Sequence, residues 1–126
     1  MLPPYFWLSK ATFSENEYLL AVEQDPNAIQ FIPNPTNEMI SKAIEGNPYI
    51  IQHIDQTDEH SLKAVTIDGM TLKFVRNKTF DICMAAIESN PYAIQYVNPN
   101  INSYVSLCKK AISINPDCSD IIATIS

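Results

Sequence analysis

Five times along this chain an Ala followed by an aliphatic residue returns at a nearly constant interval. No other feature restricts the possible folds so tightly. The pairs are Ala21-Val22, Ala43-Ile44, Ala64-Val65, Ala86-Ile87 and Ala111-Ile112, separated by 22, 21, 22 and 25 residues. Counting on from each Ala, the fourth residue is Asp25, Asn47, Asp68, Asn90 or Asn115. The fifth is Pro26, Pro48, Gly69, Pro91 or Pro116. The eighth is Ile29, Ile51, Leu72 or Ile94, with Ser119 breaking the row, and the eleventh is always aliphatic: Ile32, Ile54, Val75, Val97, Ile122. A period of this length marks a stacked repeat, in which one unit alone cannot bury its apolar side.

Each conserved phase has a local physical meaning. Seven residues before the Ala stands Ser14, Thr36, Thr57 or Thr79, with Tyr104 as the exception. A hydroxyl there accepts from the free amides of a first helical turn and so marks an N-cap. Ser14 and Glu17 have the spacing of a capping box. A first helix of about ten residues carries the Ala-aliphatic pair. The Asp/Asn-Pro pair then ends it and opens a second, because the residue before Pro avoids helical angles and Pro suits the first helical position. That second helix is expected to be short, about seven or eight residues, and a polar linker leads on to the next cap. The expected fold is all-α: residues 1–13 form an apolar arm or cap, and residues 14–126 form one small α-solenoid of about five stacked helical hairpins, 21–25 residues each.

Composition narrows the function classes. The net charge is −6, and Arg76 is the single arginine among 126 residues. Nucleic-acid binding draws on Lys and Arg neutralising phosphates, so it is not expected. The start of the chain has no basic n-region, and Pro3-Pro4 interrupts its apolar run, so no signal peptide is read. No window approaches a membrane span; the uncharged stretch from Pro91 to Cys108 is rich in Asn and Pro. Three cysteines without a C-x-x-C spacing, Cys83, Cys108 and Cys118, point to reduced thiols and a cytoplasmic protein. The sequon Asn77-Lys78-Thr79 carries little meaning there. With 17 Ile against 7 Leu, 11 Asn and only 2 Gly, the gene reads as AT-rich.

The segment Ala86 to Val97 (Ala-Ile-Glu-Ser-Asn-Pro-Tyr-Ala-Ile-Gln-Tyr-Val), followed by Ala-Ile-Ser-Ile-Asn-Pro from Ala111, resembles a short helical repeat family of unknown function. That family typically reads Ala-Val-x-x-Asp/Asn-Gly-x-Ala-Leu-x-Tyr-Ala and occurs in giant DNA viruses and in bacteria of amoebae. Here Pro replaces the Gly in four of the five units, and the first spacings are shorter than usual. The resemblance implies an all-helical repeat protein with no established activity, and the AT-rich composition fits a giant virus.

No nucleophile, base and orienting residue can be assembled from the sequence. His53 stands where Phe31, Phe74, Tyr96 and Ile121 stand in the other units and reads as a packing residue. His60 falls in a first helix, and neither brings further metal ligands. Cys83, Cys108 and Cys118 read as small core residues, Asp58 and Glu59 as first-turn acids, and Gly46 and Gly69 form no phosphate loop. Three rows remain. Gln30, Gln52 and Gln95 could bond the backbone of an extended peptide or could hold neighbouring linkers. Tyr49 and Tyr92 are either anchors for a partner or covers over the junctions between hairpins. Glu23, Glu45 and Glu88 form an acidic row, either solvated or favouring a basic partner. Trp7, with Leu2, Tyr5, Phe6 and Leu8 at one end and Ile121, Ile122 and Ile125 at the other, either caps the stack or meets another chain. The expected function is a non-enzymatic repeat module that binds another protein in a viral or host-interaction setting, with no cofactor, metal, nucleic acid or membrane. The alternative is a structural protein that self-assembles through its apolar ends.

Overall fold

The computed structural model describes residues 13–125, and nothing among them is strand. The A helices of the five repeats are α1 (Glu15–Gln24), α2 (Asn37–Gly46), α3 (Asp58–Ile67), α4 (Phe80–Ser89) and α5 (Tyr104–Ile114). Four begin at the hydroxyl caps read from the sequence: Ser14, Thr36, Thr57 and Thr79 accept from the amides of Glu17, Met39, His60 and Ile82. Ser14 and Glu17 close a full capping box, and the two bonds from Ser14 hold the Glu17 carboxyl below its ordinary pKa. The fifth starts differently. Ser103 lies in the left-handed region at φ 69° and gives no side-chain cap, and the longer fourth linker is folded into turns by Asn98.

The Asx residue after each A helix does two jobs. Its own amide donates to the repeat's Ala carbonyl and ends the A helix, while its side-chain oxygen accepts from the amide two residues on and starts the next helix. The second helix departs from expectation. In repeats 1 to 4 it is a six-residue 3-10 helix: Pro26–Phe31, Pro48–His53, Gly69–Phe74 and Pro91–Tyr96. The physical reason is a three-residue period. Residues five, eight and eleven after the Ala fall on one edge of a 3-10 helix and residues seven and ten on a second. Both edges face inward in repeat 1, where Ile29, Ile32 and Ala28 are buried and Phe31 packs against them. In repeat 5, Ser119 interrupts the first edge and the second helix is α-helical instead, α6 (Cys118–Ile125).

Each element packs within its own hairpin or against the adjacent one, so the stack is a solenoid. The core runs between successive A helices through Ala43, Ile44, Ala64, Val65, Ala86 and Ile87 and along the inner edges of the 3-10 helices through Ile51, Leu72 and Ile94. Close approach fixes two small residues. A Cβ on Gly46 would stand 2.5 Å from Pro26 Cγ, and one on Gly69 would stand 2.2 Å from the Ala86 carbonyl oxygen. Gly69 is also the one unit start with an amide rather than Pro, and that amide donates to Ser89 Oγ of the next repeat.

His53 is a correction: it is exposed, although Phe31, Phe74 and Tyr96 in its phase are half-buried. Ile112 is 36% exposed, whereas Val22, Ile44, Val65 and Ile87 in its phase are buried by the following repeat. The expected arm at residues 1–13 lies almost wholly outside the described residues.

These contrasts are measurable by urea unfolding. Ile87→Ala should cost about 3 kcal/mol as a fully buried truncation, while Ile112→Ala should cost less, about 2 kcal/mol, because 36% of that residue is already exposed. Thr79→Ala should cost about 1 kcal/mol through the lost cap.

Candidate functional site

The 3-10 helices have three edges, and the third, at six and nine residues after the Ala, faces outward. It carries the tyrosine and glutamine rows. Tyr49 and Tyr92 are half-buried and both reach the Asx hinge of the next repeat. The Tyr92 hydroxyl accepts from Asn115 Nδ2 at 3.0 Å. Burial, followed by the hydrogen bond and charge of Asp68, pushes the Tyr49 phenol above its ordinary pKa. Tyr49 also packs edge-on to Phe74 with ring centroids 5.9 Å apart. The two tyrosines therefore cover junctions between hairpins.

The glutamines are exposed, and their first partners are local. Gln52 and Gln95 Nε2 donate to the carbonyls of Tyr49 and Tyr92, three residues back, at 3.2 and 3.0 Å. A 3-10 helix eclipses residues three apart, which brings each amide over that carbonyl. Gln95 stands apart from the other two, while Gln30 and Gln52 line one groove of about 670 Å³ crossing repeats 1 to 3. Its apolar floor comes from Ile29, Ile32, Ile40 and Ile54, and its rim from Asn34, Asn37, Asp55 and Arg76. Asn34 holds a left-handed turn at φ 50°, a conformation Asn tolerates, between Pro33 and Pro35 at the groove's edge. Trp7 lies outside the described residues.

His60 lines the same groove. It is 4% exposed, and its Nδ1 has no hydrogen-bond partner among the described residues. Burial holds the ring below its ordinary pKa. Its phase is filled in α2, α4 and α5 by Met39, Ile82 and Leu107, all buried, and in α1 by the exposed Glu17 of the capping box. A polar ring thus stands where the repeat calls for an apolar one.

The repeat phase assigns no role to Gln56 or Arg76. Gln56 Nε2 donates to the carbonyls of Ile51 (3.1 Å) and Phe74 (2.7 Å), and its Oε1 accepts from the Arg76 amide at 2.9 Å. The Arg76 guanidinium donates to the carbonyls of Ile54 and Gln52, at 3.0 and 3.3 Å. Both residues sit in linkers, where the repeat phase is weakest. The one signal available was that the single arginine follows the eleventh-residue aliphatic directly.

On the opposite side the acidic row is paired. Glu23 meets Lys42 at 3.5 Å, and Glu45 meets Lys63 at 2.8 Å while Ser41 also bonds that lysine. The hydrogen bond from Lys63 and its charge hold the Glu45 carboxyl low. Thr66 and Ala85 interrupt this ladder, and a shallower groove of about 510 Å³ opens there beside Asp81 and Glu88. Among the described residues no three His, Cys, Asp or Glu side chains come together as a metal site would need. Cys83 and Cys118 are fully buried, with thiols pushed up by burial, and Cys108 is half-buried.

The fold and these surfaces define a small helical-repeat solenoid with a polar groove along its linkers. Two overlapping stretches, residues 61–102 and 79–122, match the model of a domain of unknown function (DUF4116). Each match spans two successive hairpins, and most of the groove lies ahead of both. No curated protein and no solved structure matches the chain. No helix among the described residues is long and apolar enough to cross a membrane.

Two outcomes check this account. Gln56→Ala removes one side chain that bonds three backbone groups and should cost about 2 kcal/mol in urea unfolding. The sign of the His60 effect is fixed by its lowered folded pKa. The unfolded chain takes up a proton near pH 6.5 that the folded chain refuses. Stability should therefore be full above that value and fall as the pH drops from about 6.5 toward the lower folded pKa. In His60→Met the part of this loss seen between pH 7.5 and 5.5 should disappear.

Proposed function

We propose that this chain is a non-enzymatic interaction module that binds another protein, with the groove bearing Gln30 and Gln52 as its recognition surface. The observation that carries this reading is the groove itself. It is a concave strip with an isoleucine floor and a rim of side-chain amides, where no side chain among the described residues bonds the Gln30 and Ile32 carbonyls, suited to an extended peptide segment. The net charge of −6 favours basic partners and opposes nucleic acid. The resemblance to repeats of giant viruses, together with the AT-rich composition, supports a viral or host-interaction role in a cytoplasmic setting. Tyr49 and Tyr92 are demoted in this reading, because both already serve the junctions.

A second reading has its own support. Ile112 is exposed on the outward side of repeat 5, and α6 continues the apolar end with half-buried Ile121 and Ile122. A stack ending this way suits head-to-tail association, which the arm bearing Trp7 would assist.

The test is capture from soluble cell extract by the wild-type chain and by a Gln30→Ala/Gln52→Ala variant, with far-UV circular dichroism as the folding control. A partner held by the wild type and reduced at least tenfold by the folded variant is the expected result. Equal capture by both would remove the groove from the binding surface. Recovery of the chain alone, with concentration-dependent sedimentation abolished by Ile112→Asp, would favour self-assembly.

A further inference from the structure

The junctions between repeats share one arrangement, and comparing them position by position exposes an unfilled slot. At the junction of repeats 2 and 3, the carbonyl of Ile54, eleven residues after the Ala, takes a bond from Arg76, and so does the carbonyl of Gln52. At the junction of repeats 3 and 4, the equivalent carbonyl of Val75 takes a bond from Lys78 at 2.7 Å. In both cases a cationic side chain caps the end of a 3-10 helix, where carbonyls run out of backbone partners. At the junction of repeats 1 and 2, the equivalent carbonyls are those of Ile32 and Gln30. The residue three beyond Gln30 is Pro33, which has no amide to offer. Counting from the Ala, the position of Arg76 is taken by Asp55 and that of Lys78 by Pro35, neither of which can donate from its side chain at neutral pH, and that of Gln56 by Asn34. Among the described residues no side chain replaces them. Gln30, Ile32, Pro35 and Asp55 all line the 670 Å³ groove.

We propose that this slot receives an arginine side chain of a partner peptide. Its guanidinium would donate to the Gln30 and Ile32 carbonyls as Arg76 does one repeat later and would pair with Asp55. The ion pairs found among the described residues are Glu23–Lys42 and Glu45–Lys63, so the Asp55 carboxylate is uncommitted. Arginine fits better than lysine because its planar fork carries donors on two nitrogens, matching two carbonyls, whereas an ammonium is a single point of charge. The inference rests on the interaction-module reading and names its ligand chemistry.

The probe is the tripeptide acetyl-Gly-Arg-Gly-amide, titrated into the full ¹⁵N-labelled chain and followed by amide chemical shifts. Its citrulline analogue serves as the neutral isostere. The arginine peptide should shift the amides of residues 30–34 and 52–56 and bind at least about fivefold tighter than the citrulline peptide, the difference expected of a charge-assisted fork. Asp55→Asn should weaken binding by a similar factor. Asp55→Arg supplies the guanidinium in cis and should abolish the shifts while leaving the circular dichroism spectrum unchanged. Equal binding of the two peptides, undiminished binding to Asp55→Asn, or shifts centred on Asp81 and Glu88 would each overturn the proposal. A partner captured in a Gln30- and Gln52-dependent manner, together with failure of the arginine peptide, would overturn the slot assignment alone and leave the interaction module standing.

Discussion

Every repeat turns on one residue. The Asx that follows the A helix spends its amide on the carbonyl of the repeat's Ala and its side-chain oxygen on the first amide of the next helix. Ending one helix and starting another at a single residue leaves no slack in the angle between them. That fixed angle presents the Ala and its aliphatic neighbour to the following repeat and the three-residue edges of the 3-10 helix to the same core. In an α-helical second element each three-residue step would fall about 60° short of a full turn. The 3-10 geometry keeps residues five, eight and eleven in one line.

Given that hinge, individuality lies at the junctions. Gly46 lets Pro26 sit down on α2, Gly69 lets the third unit close on α4 with Ser89 satisfying its amide, and Tyr49 and Tyr92 tie their units to the following Asx. Along the A helices, Glu23–Lys42 and Glu45–Lys63 form two rungs of a ladder that lapses at Thr66 and Ala85. Along the linkers, Gln56, Arg76 and Lys78 supply donors to carbonyls that the short helices leave over. The first junction alone of these three carries Pro and Asp in the donor positions, and there the larger groove opens. The same carbonyls tell the junctions apart: where the chain bonds them itself there is a stitch, and where no described side chain does there is an open groove.

The order of the repeats has a physical consequence at the ends. A unit with a successor has its following face covered, so Val22, Ile44, Val65 and Ile87 are buried without any special device. Repeat 5 has no successor among the described residues, and the same phase is left partly wet at Ile112.

The period of the sequence settled the number of hairpins, the four hydroxyl caps, the Asx-Pro hinge and most of the core, because these are local matters: a cap needs only the three residues after it, and a buried row needs only a constant phase. The spacing of five, eight and eleven even contained the 3-10 helix, although the same residues also fit a short α-helix and were read as one. His53 escaped because its phase-mates are aromatic, while burial depends on what the next linker places over it. Gln56, Arg76 and the slot at Pro35 and Asp55 were beyond reach for a related reason. Their partners are backbone carbonyls, which every residue carries alike, and only stacking decides which side chain reaches which carbonyl of the adjoining repeat, 18 to 24 residues away.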